Sequence, residues 1–252
     1  MKSPVVLFAY NRPSMTAHVI QQIIDSGPTK VFAFVDGPKH PGDGGAKIVA
    51  DLVEMANWGC DVDIALSPYN KGCRRNVVDG LNTVFRNCDR AIILEDDLDI
   101  HPSFFPYVDE LLDRFADDNR VWAITGLQPN ITQCLHSYWI DKSLHLYGWG
   151  TWSRVWNTYD ESMSRWPELR SLLPLSESQR CAFDDCFAGA MDTWDYQFLL
   201  SYLEANGLCV VPAVNLITNV GVGTSATHTK TDTGFTNIPK SAMGFPLIHP
   251  LH

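Results

Sequence analysis

Through its first hundred residues the chain alternates short apolar runs with stretches of helical period, and no other feature restricts its fold as strongly. Val5 to Tyr10 reads as a buried strand, broken by Asn11-Arg12-Pro13. Ser14 is placed to cap a helix whose apolar positions Met15, Val19, Ile20, Ile23 and Ile24 share one face. Lys30 to Val35 reads as a second strand ending in Asp36-Gly37-Pro38, and Ile48, Leu52, Met55 and Ala56 mark a second helix. Asp61 to Ser67 is a shorter, alternating third strand, followed by a helix marked by Val77, Leu81, Val84 and Phe85. Strands alternating with helices predict a mostly parallel sheet flanked by helices. Right-handed crossovers return each strand in the same direction, so the loops after the strands open on one edge.

The fourth apolar run, Ala91 to Leu94, stops at three consecutive acids, Glu95, Asp96 and Asp97. In open α/β folds the carboxyl edge of the sheet is where ligands bind. Three adjacent negative charges repel one another, so a cation is expected among them. A divalent ion such as Mg2+ or Mn2+ carrying a polyphosphate suits oxygen ligands with open positions. The competing reading is an acidic loop capping the positive end of the following helix.

Composition narrows the classes. At 252 residues, 45% apolar and 19% charged, the chain has ample core and is not globally disordered. With 19 basic against 29 acidic residues its net charge is −10, which argues against a broad nucleic-acid-binding face. Seven scattered cysteines without a CxxC pair read as reduced thiols rather than a disulfide frame or zinc site. The opening MKSPVVLFAYNRP is apolar for too few residues to be a signal peptide, and no stretch reaches transmembrane length. The expectation is a cytoplasmic protein, with at most peripheral association at the inner membrane face.

A helix with Phe104, Phe105, Val108, Leu111, Leu112 and Phe115 buried follows the acids, then a strand at Val121 to Leu127. Residues 128–170 are rich in aromatics and short on period, and read as a cover over the sheet. Helical spacing returns around Asp184 to Asn206, and Leu208 to Val220 resembles a strand interrupted by Pro212. The polar tail from Gly221 to His252 reads as loop, so the chain divides into residues 1–127, 128–220 and 221–252 of one domain.

Several side chains stand out. Asn70, Lys71, Gly72, Arg74 and Arg75 lie at a loop-to-helix junction, where free N–H groups favour anions and arginines fork to a diphosphate; a solvated helix start is the alternative. Asp36 could accept from a uracil N–H or a ribose hydroxyl, or simply make its Asp-Gly-Pro turn. Asp195, between Trp194 and Tyr196, is a candidate base whose proton affinity partial desolvation would raise. A helix N-terminal acid is the plainer reading, and Asp192 fits either. His228 could complete a metal shell from a small-residue loop, or be a solvated loop residue. Trp149, between Gly148 and Gly150, could present a flat face to a sugar ring or fill core.

Taken together, AYNRP, VDG, NKGCRRN and ILEDDLDIHPSFFPY resemble nucleotide-sugar-dependent glycosyltransferases of the GT-A fold, nearest to the inverting N-acetylglucosaminyltransferase I type. The resemblance extends through Tyr147 to Gly150, Arg165-Trp166-Pro167 and Trp194-Asp195, roughly Val5 to Gln197. It implies a Rossmann-like, mostly parallel twisted α/β sheet of GT-A type with an acceptor-side cover in the C-terminal half. It also implies Mn2+ or Mg2+ on Asp97, with Asp96 at the ribose or a metal-bound water and Glu95 at the donor sugar. Tyr10, Asn11, Arg12 and Asp36 would hold the nucleotide, and Asp195 would be the base. Tyr196 stands where the family carries a second acid. The implied partners are a UDP-sugar donor and a glycan or lipid-linked saccharide acceptor, in a bacterial cytoplasmic enzyme of surface polysaccharide synthesis. Two other classes remain: a sugar-1-phosphate nucleotidyltransferase, whose glycine-rich loop is missing after the first strand, and a non-catalytic glycan-binding module resting on the tryptophans.

Overall fold

The computed structural model describes residues 1–129, 135–221 and 238–250. The first part alternates as the apolar pattern dictates: β1 (Val5–Ala9), α1 (Pro13–Asp25), β2 (Lys30–Val35), α2 (Gly44–Met55), β3 (Asp61–Leu66), α3 (Cys73–Val84) and β4 (Arg90–Glu95). Then come β5 (Leu98–Ile100), α4 (Phe104–Arg114), β6 (Val121–Thr125), β7 (Tyr138–Asp141), β8 (Trp149–Trp152), α5 (Ser153–Trp156) and α6 (Trp166–Leu169). The last are α7 (Glu177–Phe187), α8 (Asp195–Glu204), β9 (Leu208–Pro212) and β10 (Ile217–Asn219).

Among the described residues, eight strands form one sheet in the order β3-β2-β1-β4-β8-β6-β9-β7. β3, β2, β1 and β4 run parallel, β8 runs antiparallel to both β4 and β6, β9 is parallel to β6, and β7 closes the edge antiparallel. The chain winds outward from β1 to β3, then crosses back to place β4 on the other side of β1. That reversal is a topological switch point, the place where doubly wound sheets leave a crevice beyond their carboxyl ends. The register sets Phe8 beside Glu95, so the first acid stands at the mouth of the crevice.

Local differences from the sequence pattern have simple causes. α1 starts at Pro13, whose missing N–H suits the first helical position, and Ser14 makes no cap. In α2 the buried stripe is Ala46, Val49 and Val53, while Ile48 and Met55 are exposed. The helical stretch near Asp184 to Asn206 divides into α7 and α8, and Leu208 to Val220 divides into β9 and β10 in different sheets.

The aromatic stretch at Tyr147 to Trp152 is not a cover. It supplies β8, in the middle of the sheet between β4 and β6. A Cβ on Gly150 would come within 2.5 Å of Val108 and 3.1 Å of Leu112, so this glycine lets α4 pack directly on the strand. Trp149 is 1% exposed and stacks on Trp194 with ring centroids 5.8 Å apart and planes 12° from parallel. Trp194 and Trp149 both meet Phe198, which also packs on Trp122 and Trp156. This aromatic cluster, each ring burying a large apolar area, ties the first turn of α8 to the sheet. No helix among the described residues is long and apolar enough to cross a membrane.

Candidate active site

A cleft of about 690 Å³ opens at the carboxyl ends of β1, β2 and β4. Its sheet-side wall carries Tyr10, Arg12, Asp36, Asn70, Gly72 and the acids Glu95, Asp96 and Asp97. Facing them are Asp192 to Tyr196 at the start of α8, residues 144–147, and Gln179 and Phe183 of α7.

The three acids have distinct surroundings. Asp96 is buried; its Oδ2 accepts from Tyr10 N–H at 2.9 Å, and burial and neighbouring Asp97 push its carboxyl up to about 6. Arg12 reaches Asp97 Oδ2 at 2.6 Å and Asp96 Oδ1 at 3.5 Å. Burial, then Asp97 and Asp96, push the Glu95 carboxyl up to about 8. One guanidinium therefore faces three carboxyl groups, and the two raised carboxyls register the excess of negative charge in a partly desolvated place. Asp97 Oδ1 is buried without a hydrogen-bond partner among the described residues. An orphaned buried carboxylate oxygen is costly unless something cationic or donating meets it, so this edge fits a divalent ion. No group of three His, Cys, Asp or Glu among the described residues encloses such an ion. A cation held here would keep open positions for phosphate and water, as Mg2+ and Mn2+ do. His228 lies outside the described residues.

Asp36 is committed to the protein. Its Oδ1 accepts from Gly37 N–H and Lys71 N–H at 2.8 and 2.7 Å, and its Oδ2 from the Asn70 amide and Gly72 N–H at 2.8 and 3.0 Å. Four donors satisfy a carboxylate, so Asp36 shapes the loop before α3. The basic cluster largely faces elsewhere. Lys71 and Arg75 pair with Asp79 on α3, and neither Arg74 nor Arg75 lines the cleft. Tyr10 does line it, its hydroxyl donating a short hydrogen bond to Asp43; burial, then Asp43, push the phenol up to about 12. Asn11 and Trp149 are not among the lining residues; Trp149 is core behind Trp194.

On the opposite wall Asp195 opens α8. Its Oδ1 accepts a short hydrogen bond from the Thr193 hydroxyl and another from Tyr196 N–H at 3.0 Å. Its second oxygen has no hydrogen-bond partner among the described residues, leaving Asp195 oriented by one oxygen with the other available to the cleft. Asp192 does cap a helix, but a distant one: its two oxygens accept from Cys73 N–H at 2.9 Å and Arg74 N–H at 3.2 Å, at the start of α3. The α3 terminus offered to a diphosphate by the sequence is thus met by the chain's own carboxylate. Thr193 and Cys73 escaped the sequence reading. Thr193 is legible afterwards as the hydroxyl two residues before the acid, whereas nothing in the sequence places Cys73 in the cleft. Burial and the carboxylates of Glu95, Asp192 and Asp195 raise the Cys73 thiol, which stays protonated and is no nucleophile.

The fold and the cleft define an α/β protein with a doubly wound sheet and an acid-lined ligand site at its switch point. A family model described as the GNT-I family matches residues 65–169, which span α3, the acids, α4 and β8. No curated protein matches the chain. Solved structures with similar folds include a mannosyltransferase from Pyrobaculum calidifontis in complex with GDP-Man and Mn2+, at 16% identity and TM-score 0.38, covering 51% of this chain and 36% of that one. Others are mouse xyloside xylosyltransferase 1 at 10% identity and TM-score 0.37, covering 79% and 81%, and a 4-diphosphocytidyl-2C-methyl-D-erythritol synthase from Anaerococcus prevotii at 10% identity and TM-score 0.39, covering 73% and 83%. The alignment spans about a third of the mannosyltransferase's own length. Likeness at this level concerns chain path alone.

Proposed function

We propose that the protein is a divalent-cation-dependent inverting glycosyltransferase, moving a sugar from a nucleotide-sugar, with UDP the favoured nucleotide, to a hydroxyl acceptor. The observation that carries this reading is the placement of Asp195 across one cleft from Glu95, Asp96 and Asp97. The family similarity over residues 65–169 supports the same reaction class.

Asp97, with Asp96 beside it, would hold Mn2+ or Mg2+, which supplies charge neutralisation for a departing diphosphate. The chain's own residues do the rest. Tyr10 and the loop shaped by Asp36 bind the nucleotide, and Glu95 faces the sugar. The available oxygen of Asp195 accepts the acceptor hydroxyl's proton as the hydroxyl oxygen bonds to the anomeric carbon and the bond from that carbon to the diphosphate oxygen breaks. A single displacement of this kind inverts the anomeric centre. Trp194 and Phe183 help wall the site from water, which favours transfer over hydrolysis.

A thermal-shift panel of UDP-, GDP-, CMP- and dTDP-sugars, each with and without Mn2+, tests the reading directly. Stabilisation by one nucleotide class that depends on Mn2+ is expected, and a flat panel would sink the proposal. Asp97→Ala should abolish the Mn2+-dependent part of that shift. Release of pyrophosphate from a nucleoside triphosphate would instead place the protein among nucleotidyltransferases.

A further inference from the structure

We infer that Asp192 is a positioning residue that fixes Asp195 relative to the three acids by bolting the two walls of the cleft together. The inference rests on the glycosyltransferase reading for what Asp195 does, and on the geometry for how it is held.

α3 has no cap of its own. Its N-cap is Gly72, which has no side chain, with φ +85° and ψ 167°. That conformation is almost confined to glycine. The first N–H groups of a helix need acceptors and carry the positive end of its dipole. Asp192 supplies both the acceptors and the charge, one oxygen each to Cys73 and Arg74. The fit is close: a Cβ on Gly72 would overlap the Asp192 carboxylate. Gly72 is also held from its other side, its N–H donating to Asp36 at 3.0 Å. A continuous chain of contacts therefore runs from the end of β2, through Asp36 and Gly72, to Asp192.

Asp192 is linked onward to Asp195 through two residues, Thr193 and Trp194, both buried. Thr193 hydrogen-bonds Asp195, and Trp194 stacks on Trp149 of β8. β8 pairs with β4, the strand that ends in Glu95. Two ties to the sheet side thus lie just before Asp195 in the chain: the aromatic stack at Trp194 and the contact of Asp192 with α3. Removing the second tie leaves the connection 188–194 without its anchor on α3, so that the aromatic stack holds the start of α8 to the sheet without it. Displacement of a reacting group by about 1 Å costs about a hundredfold in turnover while the substrate still binds.

The test uses the full chain, with amide hydrogen exchange and, with water as the acceptor, hydrolytic UDP release from UDP-glucose and UDP-N-acetylglucosamine in the presence of Mn2+. Asp192→Ala should speed exchange both in residues 70–77 and in residues 192–198. It should lower kcat about tenfold or more while KM for the donor stays within about threefold. Asp192→Asn, which keeps an acceptor for one of the two N–H groups, should fall between the variant and wild type and guards against a merely unfolded Asp192→Ala. Unchanged exchange in residues 192–198 would overturn the bolt. Faster exchange with unchanged kcat would overturn the positioning role and leave a helix cap. A wild-type protein that releases UDP from neither donor would count against the function on which the positioning role rests, while the exchange data would still decide the bolt.

Discussion

Helix α7 begins with Ser176, whose hydroxyl accepts from Gln179 N–H at 3.2 Å while the Gln179 side chain accepts from Ser176 N–H at 2.9 Å. Helix α3 begins with a glycine, and the carboxylate that satisfies its first N–H groups comes from 119 residues away. The first is a capping box closed within four residues, and it is written in the sequence as Ser-x-x-Gln. The second exists only when the chain has folded. α7 closes its cap with its own residues, even though Gln179 of that cap also lines the cleft. α3 begins in the cleft, and a cap drawn from the facing wall makes its formation depend on that wall being in place.

The largest effect should come from the residue that the distant cap is proposed to position. Asp195→Asn preserves Oδ1 as the acceptor for Thr193 and Tyr196, so the fold should hold. Turnover should fall by roughly 10²- to 10⁴-fold with Mn2+-dependent donor binding retained, as measured by UDP release and thermal shift. Loss of binding together with turnover would show that the residue does something other than accept a proton.

Gly72→Ala attacks the distant cap from its other side. The backbone conformation is strained for any side chain, and the added Cβ meets Asp192, so a loss of about 1–3 kcal/mol is expected, read as a fall in melting temperature of several degrees. In the Asp192→Ala background the same substitution should cost less, because the clash is gone. Strict additivity would break the coupling between the two positions.

The two caps should have similar value for stability and different value for function. Ser176→Ala and Asp192→Ala should each cost about 0.5–2 kcal/mol in denaturant unfolding. Only Asp192→Ala should also reduce turnover; equal turnover in the two variants would erase the distinction between local and distant capping.

The smallest effect concerns another long-range carboxylate. Asp99 accepts from Lys240 at 2.5 Å and from His18 and Gln22 at 3.0 Å each. Partial burial works against its charge, but the hydrogen bonds from His18, Lys240 and Gln22 outweigh it and hold the carboxyl down at about 2. A depressed carboxyl stabilises the fold above the ordinary carboxylate range and loses that contribution as pH falls toward 2. The melting temperatures of wild type and Asp99→Asn should therefore differ at pH 5 and converge as pH falls toward 2.

Much of the first half of the fold was legible because β1, β2 and β4 are buried almost throughout and β1–β2 and β2–β3 pair across a single helix each. β2 runs over Lys30–Val35, as its apolar run prescribes. The second half was harder. β8 reads as aromatic loop because only four residues carry the strand and glycines stand just before it and within it, yet those glycines, Gly148 and Gly150, are what let β10 and α4 approach it. Nothing in a local window says that such a stretch enters the centre of a sheet. The cleft divides in the same way. Tyr10, Arg12, Glu95, Asp96, Asp97 and Asp195 line it as their positions at element ends suggest. Arg74, Arg75 and Trp149 do not, because a nearby Asp79 engages Arg75 and the sheet buries Trp149.

The sequence by itself determined the alternating strands and helices, the strand that ends in three acids, and the edge on which those acids stand. Hydrophobic period and turn chemistry act over a few residues, and these features need no more. Tertiary structure alone decided that Asp36 organises a loop, that Asp192 caps a helix from the opposite wall, and that Trp149 lies behind the site. Each depends on a hydrogen bond or ring contact between residues more than thirty positions apart, and such a contact forms only once the sheet has brought both ends together.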